Sequence, residues 1–481
     1  MRFHVAGVSP LLGFFLCATG CRTGASTGDI AGATSPAAQL DEEGIRGLAG
    51  YRSELVSAPV FGGQVFVMEA GEASAPAVVL VHGLGESACR DWYPVLPALA
   101  ARYHVVALDL PGFGRSTHAN ELYSPARYAE FMHSLLGPRV KGAFNLVGHS
   151  MGGALSLLYA ARFPGDVRRL LLIDAAGMLH RKSYVGFAVD SGLDHLLGPL
   201  ANPVKDLATM AWESVSTAMG PILPASPDPA VVLQSDALRA TVLGGNPTRI
   251  AALAVILENF GPAIAGVRAP AWILWGSNDA IASPRMGLVL QARLPAARLV
   301  VLEGSGHDPM ASRPAAVEKF LLEALASPAS VPLPEVAAPF PALPARKGRC
   351  ERQSGARFTG DYSEIELVGC PNAVLRDVRT AGLRIRDSYA VVETTRVIAP
   401  GVAIEVKDSR VEITASDFAG NVALEVEGSD LDLAGVNLRG QRAAVHIGGS
   451  SKLIVSVSHA DSPINQRYLH GVYEFDIGAE L

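Results

Sequence analysis

A cationic surplus is the first thing missing from this chain of 481 residues. It carries 40 Lys and Arg against 46 Asp and Glu, a formal net charge of −6. That balance offers no basic surface for nucleic acid, and no such partner is expected. Long apolar runs are scarce as well: beyond the N-terminal stretch, no segment reaches the roughly 20 apolar residues that a membrane-spanning helix needs. No metal and no cofactor are expected, and the C-terminal module shows no metal-ligand run. Cysteine is limited to five positions, which have to be read one by one. What the chain does have is apolar content, 49% hydrophobic against 18% charged residues, ample for two cores.

The most informative stretch is Gly148-His149-Ser150-Met151-Gly152-Gly153, with an apolar run at 144–147 before it and a helix-forming run at 154–161 after it. This pattern predicts a sharp strand-to-helix turn whose flanking positions have to be nearly free of side chain. Such a turn lifts the Ser150 hydroxyl clear of the backbone, beside a helix N-terminus whose N–H groups stabilise developing negative charge. Ser150 is the candidate nucleophile. Upstream, the apolar run 77–81 ends in His82-Gly83-Leu84-Gly85, so the Leu84 and Met151 N–H groups are the candidate oxyanion hole. Downstream, the apolar runs 271–275 and 299–302 end in Gly276-Ser277-Asn278-Asp279 and Glu303-Gly304-Ser305-Gly306-His307. Asp279 and His307 are the candidate acid and base. Asp174, which ends the run after the elbow, is the rival acid, while His82 and His149 read as structural neighbours of the motif glycines.

In these residues the sequence resembles the α/β-hydrolase superfamily, whose triad follows the same Ser, Asp, His order. The likeness covers 51–326 and includes Leu108-Asp109-Leu110-Pro111-Gly112-Phe113-Gly114-Arg115-Ser116 and Gly306-His307-Asp308-Pro309. It implies an α/β fold with a helical cap and, in the lipase and esterase branch containing monoacylglycerol lipases, a carboxylic ester substrate. Serine at the elbow argues against haloalkane dehalogenases and epoxide hydrolases, which place aspartate there. The cap is expected at 178–261, rich in Leu, Ala and Pro. Phe187, Leu193, Leu196, Leu197, Met210, Trp212 and Met219 would pack its helices or line an apolar pocket that sets substrate choice.

At the N-terminus, Arg2 precedes an apolar stretch from Val5 to Ala18, too short to span a bilayer and read as a signal peptide over 1–20. Its end, Ala18-Thr19-Gly20-Cys21, resembles a bacterial lipobox, which implies acylation of Cys21 and a lipid anchor in the cell envelope. Ordinary signal cleavage, giving a secreted or periplasmic protein, is the alternative. Residues 21–50 read as a flexible tether. Cys17 belongs to the signal and Cys89 to a buried apolar site. Cys350 and Cys370, close in sequence within one module of an exported chain, form the candidate disulfide.

A proline-rich spacer at 327–346 separates the first module from a second at 347–481. Here Leu383/Ile385, Ile404/Val406, Leu424/Val426 and Val445/Ile447 recur at offsets of 21, 20 and 21, as do Ser388, Ser409, Ser429 and Ser450. A second alternating pair recurs at Val411/Ile413, Leu431/Leu433 and Leu453/Val455. The period predicts an all-β domain, a right-handed parallel β-helix, with a small antiparallel sandwich as rival. Asp387, Asp408 and Asp430 read as turn residues. The module is expected to be non-catalytic, a spacer or a surface for envelope binding or self-association, and residues 41–327 to carry the chemistry. The whole reads as a membrane-tethered serine hydrolase of small-molecule or lipid esters. A C–C bond hydrolase of the same fold and a non-catalytic envelope lipoprotein are the alternatives.

Overall fold

Eight strands of the first module form one mixed sheet in the order β1-β2-β4-β3-β5-β6-β7-β8, where β1 is Arg52–Ser57, β2 Gln64–Ala70, β3 Ala77–Val81, β4 His104–Leu108, β5 Phe144–His149, β6 Val167–Ile173, β7 Ala271–Gly276 and β8 Arg298–Leu302. The computed structural model describes residues 42–183, 229–328, 343–475 and 478–480. The signal segment, Cys21, the tether as far as 41, residues 329–342 of the spacer and the cap positions Phe187, Leu193, Leu196, Leu197, Met210, Trp212 and Met219 lie outside the described residues.

The two pairings β1/β2 and β2/β4 are antiparallel, and the rest of the sheet is parallel. Strands β3, β4 and β5 are buried on both faces, which is why they read as continuous apolar runs rather than alternating ones. Alternate residues feed two cores. Val79, Val81, Val106, Leu108 and Leu146 join one, under α1 (Pro125–Leu136) and α2 (Met151–Arg162). Val78, Leu80, Val105, Ala107 and Val147 join the other. At the far edge, β8 keeps Val300 and Val301 more than 40% exposed.

The described part of the 178–261 insertion is helical. Its longest element, α3 (Pro247–Leu257), begins with Asn246 accepting from the Arg249 N–H and Pro247 in the first turn, a pairing that suits a helix start. A short helix α4 (Gly261–Gly266) then leads into β7, α5 (Pro284–Arg293) joins β7 to β8, and α6 (Pro314–Ala326) covers the second core.

Residues 347–475 form an all-β domain with parallel strands. Each repeat pairs with its own equivalent: Ile365, Leu383, Ile404, Leu424 and Val445 stand side by side, and so do Ala390, Val411, Leu431 and Leu453. This pairing is parallel, unlike that of a sandwich. Among the described strands of this domain, the last, Gln466–Phe475, is the one that runs antiparallel to its neighbour, Ser451–Asp461.

The buried serines form a ladder between repeats. The Cys370, Ser388, Ser409 and Ser429 N–H groups donate to the hydroxyls of Ser388, Ser409, Ser429 and Ser451 at 2.9–3.2 Å. Ser451, not Ser450, completes the series, because the bend at Gly448 and Gly449 adds a residue and stretches the pairing offset to 22 between Leu431 and Leu453. Asp387 and Asp408 occupy left-handed corners (φ 48° and 47°). Gly428 takes the equivalent corner, and Asp430 begins the next strand instead. Cys350 and Cys370 are joined as a disulfide.

The two domains share apolar packing. Ala434 and Val457 of the repeat domain belong to the same buried cluster as Val289 of α5.

Candidate functional site

Ser150 stands between the last residue of β5 and the first of α2 with φ 52° and ψ −118°, a backbone state that costs an L-residue energy and that surrounding contacts have to impose. They do so from three sides. A Cβ at Gly152 would stand 2.2 Å from the Val81 carbonyl oxygen, one at Gly148 would meet the Gly152 carbonyl at 2.3 Å, and one at Gly153 would meet Ala175 Cβ at 2.6 Å. The Ser150 N–H donates to the Ile173 carbonyl, and the Ser150 carbonyl accepts from Ala176. Strand, elbow and helix therefore close on one another with no room for side chains at the flanking glycines.

The structure brings Ser150, His307 and Asp279 together. His307 Nε2 is 2.9 Å from Ser150 Oγ, and His307 Nδ1 is 2.7 Å from Asp279 Oδ2. The Asp279 side chain is fully buried, and its other oxygen accepts from the Ile281 and Ala282 N–H groups, each at 2.8 Å. Loop geometry supports the pair. The Asn278 N–H donates to the Ser305 carbonyl, the Gly304 N–H donates to Ser277 Oγ, and Gly276 lies so close to the histidine loop that a Cβ there would stand 2.5 Å from two of its carbonyls.

The candidate oxyanion donors lie on the loop after β3 and at the start of α2. A Cβ at Gly83 would come within 3.0 Å of Ser150 Cβ, so the chain leading into Leu84 runs directly past the Ser150 side chain. Met151 is the first helical residue, and first-turn N–H groups have no intrahelical acceptor.

The two neighbouring histidines hold backbone. His82 Nε2 accepts from the Leu110 N–H and its Nδ1 donates to the Gly83 carbonyl, and burial lowers its pKa to about 4. His149 Nε2 donates to the carbonyl of His307, and burial and the His307 ring lower its pKa to about 3. Both stay neutral at physiological pH. His149 thus fixes the candidate base from behind, a link that its position beside Ser150 hinted at without naming the partner.

Asp174 makes no contact with His307 that would let it serve as the acid. Its Oδ1 accepts from the Gly276 N–H at 2.8 Å, and its Oδ2 is buried without a donor among the described residues. Burial first and the Asp279 charge second push its pKa up to about 9, so it carries a proton at neutral pH. Cys89 is buried within the core, where burial raises its thiol pKa. Among the described residues no cluster of His, Cys, Asp or Glu could hold a metal ion.

Residues 78–320 match the pattern of the alpha/beta hydrolase family. Relatives include an uncharacterized protein of Mycobacterium tuberculosis, 31% identical over 52% of this chain and 76% of that one, and Lipase 1 of Psychrobacter immobilis, 26% identical over the same shares. Among solved structures, a membrane phospholipase A is 26% identical, covers 59% of this chain and 89% of its own, and superposes with a TM-score of 0.43.

Proposed function

We propose, since this chain belongs to the alpha/beta hydrolase family, that it is a serine hydrolase of carboxylic esters working through an acyl-enzyme. The observation that carries this is the continuous hydrogen-bonded path from Ser150 Oγ through the His307 ring to the buried Asp279. His307 Nε2 takes the Ser150 proton as Oγ forms its bond to the ester carbonyl carbon, and Asp279 holds the ring and stabilises the imidazolium. The Leu84 and Met151 N–H groups receive the oxyanion, each worth about 3 kcal/mol. The imidazolium then protonates the departing alkoxide as the carbon–oxygen bond breaks. Water repeats the sequence to release the acid and restore Ser150.

Within the ester class we favour lipid-like substrates such as monoacylglycerols, because lipases stand among the relatives and the insertion is apolar. We place the protein in a bacterial envelope, tethered through acylated Cys21, and assign the stacked repeats to a right-handed β-helix. Turnover of p-nitrophenyl esters of graded chain length, run beside a ring-fission diketone, tests the reaction. Ester turnover with labelling by a fluorophosphonate supports the proposal. Cleavage of the diketone alone assigns the protein to C–C bond hydrolysis, and neither reaction with no labelling assigns it to the non-catalytic class.

A further inference from the structure

The repeat domain touches the hydrolase domain at the elements that set the active-site geometry. Helix α5 begins two residues after Ala282, whose N–H holds Asp279 Oδ1. Along α5, Arg285, Val289 and Arg293 are spaced by four and occupy one face. Arg285 reaches Thr414 Oγ1 at 2.8 Å, Glu412 at 3.1 Å and Asp432 at 3.4 Å. Arg293 donates to the Gly435 and Ser416 carbonyls, each at 2.8 Å, and to Asp417 at 2.9 Å. Between them Val289 is fully buried against Gly435, where a Cβ would stand 2.7 Å from a valine methyl. Both arginine side chains are under 15% exposed. The ends of the cap insertion are held as well. The His180 N–H donates to Ser456 Oγ at 2.8 Å, the His180 ring meets His470 edge to face at 5.3 Å, and a Cβ at Gly261 would touch Tyr468 at 3.1 Å.

We propose that the C-terminal repeat domain is a brace for the catalytic acid: by gripping α5 through Arg285, Val289 and Arg293, it fixes the Asp279 loop against His307. The inference rests on the ester-hydrolase reading for its catalytic consequence, while its structural core, an acid loop stiffened from the second domain, stands apart from that reading. Arg285 and Arg293 are positioning residues. They lie one and three helical turns from the acid loop and act through the helix backbone, with carbonyl acceptors on the repeat domain that no side-chain exchange there removes. A rigid, rotamer-locked support of this kind is what holds a catalytic group within a fraction of an ångström of its working position.

The test uses the full-length protein with Arg285→Met and Arg293→Met together, Arg293→Met alone as the milder arm, and Arg379→Met as a control, whose exposed pair with Asp361 lies elsewhere on the repeat domain. Asp417, the acidic partner of Arg293, is 41% exposed and keeps access to water when the arginine is removed. Two readouts are taken. Hydrogen exchange at the Ile281 and Ala282 amides is expected to speed up about tenfold in the double variant. Turnover of a short soluble ester is expected to lose about tenfold in kcat with little change in KM, because a misplaced acid weakens the transition state and not substrate binding. Arg379→Met is expected to change neither. Unchanged amide exchange in folded Arg293→Met and double variants overturns the brace, and so does unchanged kcat. Absence of turnover in the unsubstituted protein overturns the ester reading instead, and the exchange rates then decide the brace by themselves.

Discussion

Among the described residues, Asp279 accepts from three donors and Asp174 from one, and that difference predicts how each tolerates substitution. Ser150→Ala is expected to abolish ester turnover and fluorophosphonate labelling, a loss on the order of a millionfold where the triad acts as a unit. Asp279→Asn should cost about ten thousandfold in kcat, since an amide can no longer stabilise the imidazolium. Asp174→Asn should be mild, because the asparagine oxygen keeps the Gly276 N–H bond and its NH2 mimics the proton the acid already carries. The same substitution has a pH signature. Asp174 is raised from the ordinary 3.8 to about 9, so above pH 4 the folded protein holds a proton that the unfolded chain releases. Stability therefore falls as pH rises through the window from about 4 to about 9. Asp174→Asn removes that slope, and melting temperatures of the variant should rise relative to the parent between pH 5 and pH 9, which thermal melts across a buffer series would show. The sequence placed both carboxyls at strand ends but could not rank them by contact, since their separation is set by how the loops after β6 and β7 fold.

Strands with both faces buried were the legible elements. The sheet centre announces itself as unbroken apolar runs, and the elbow glycines follow from the space that strand and helix leave. Gly152→Ala makes that space measurable. Its Cβ would press on the Val81 and His82 carbonyls at 2.2 and 2.5 Å, and backbone cannot step aside as a flexible side chain does. The expected loss is on the order of 3 kcal/mol in stability together with most of the activity, read by denaturant titration. The antiparallel edge was not legible: β1 is exposed almost throughout and carries no apolar pattern. In the repeats, counting offsets selected Ser450 where the ladder uses Ser451, because a one-residue bulge at a corner leaves the apolar period nearly intact while shifting the hydroxyl that has to meet the Ser429 N–H.

At the scale of the molecule, the proline-rich spacer marked where one periodicity ends and another begins, yet composition says nothing about whether the parts on either side touch. Arg285, Val289 and Arg293 are spaced by four along α5, and the structure supplies the surface they meet. The proposed lipid tether makes a whole-molecule prediction too. In a Gram-negative host the full-length protein should partition into detergent with acyl chains on Cys21, and Cys21→Ser should release or misprocess it, because several chains bind a bilayer far more firmly than one. Mass spectrometry of the mature N-terminus checks this. The reversed direction of the final strand, Gln466–Phe475, carries a further consequence. A sheet of parallel strands with an uncovered edge strand offers an edge that a like strand from another copy can extend, so such edges join copies together. The reversed strand covers Ser451–Asp461 and so removes that parallel edge. Deleting 466–475 should therefore favour association between copies, visible as light scattering that rises more steeply with concentration than in the parent.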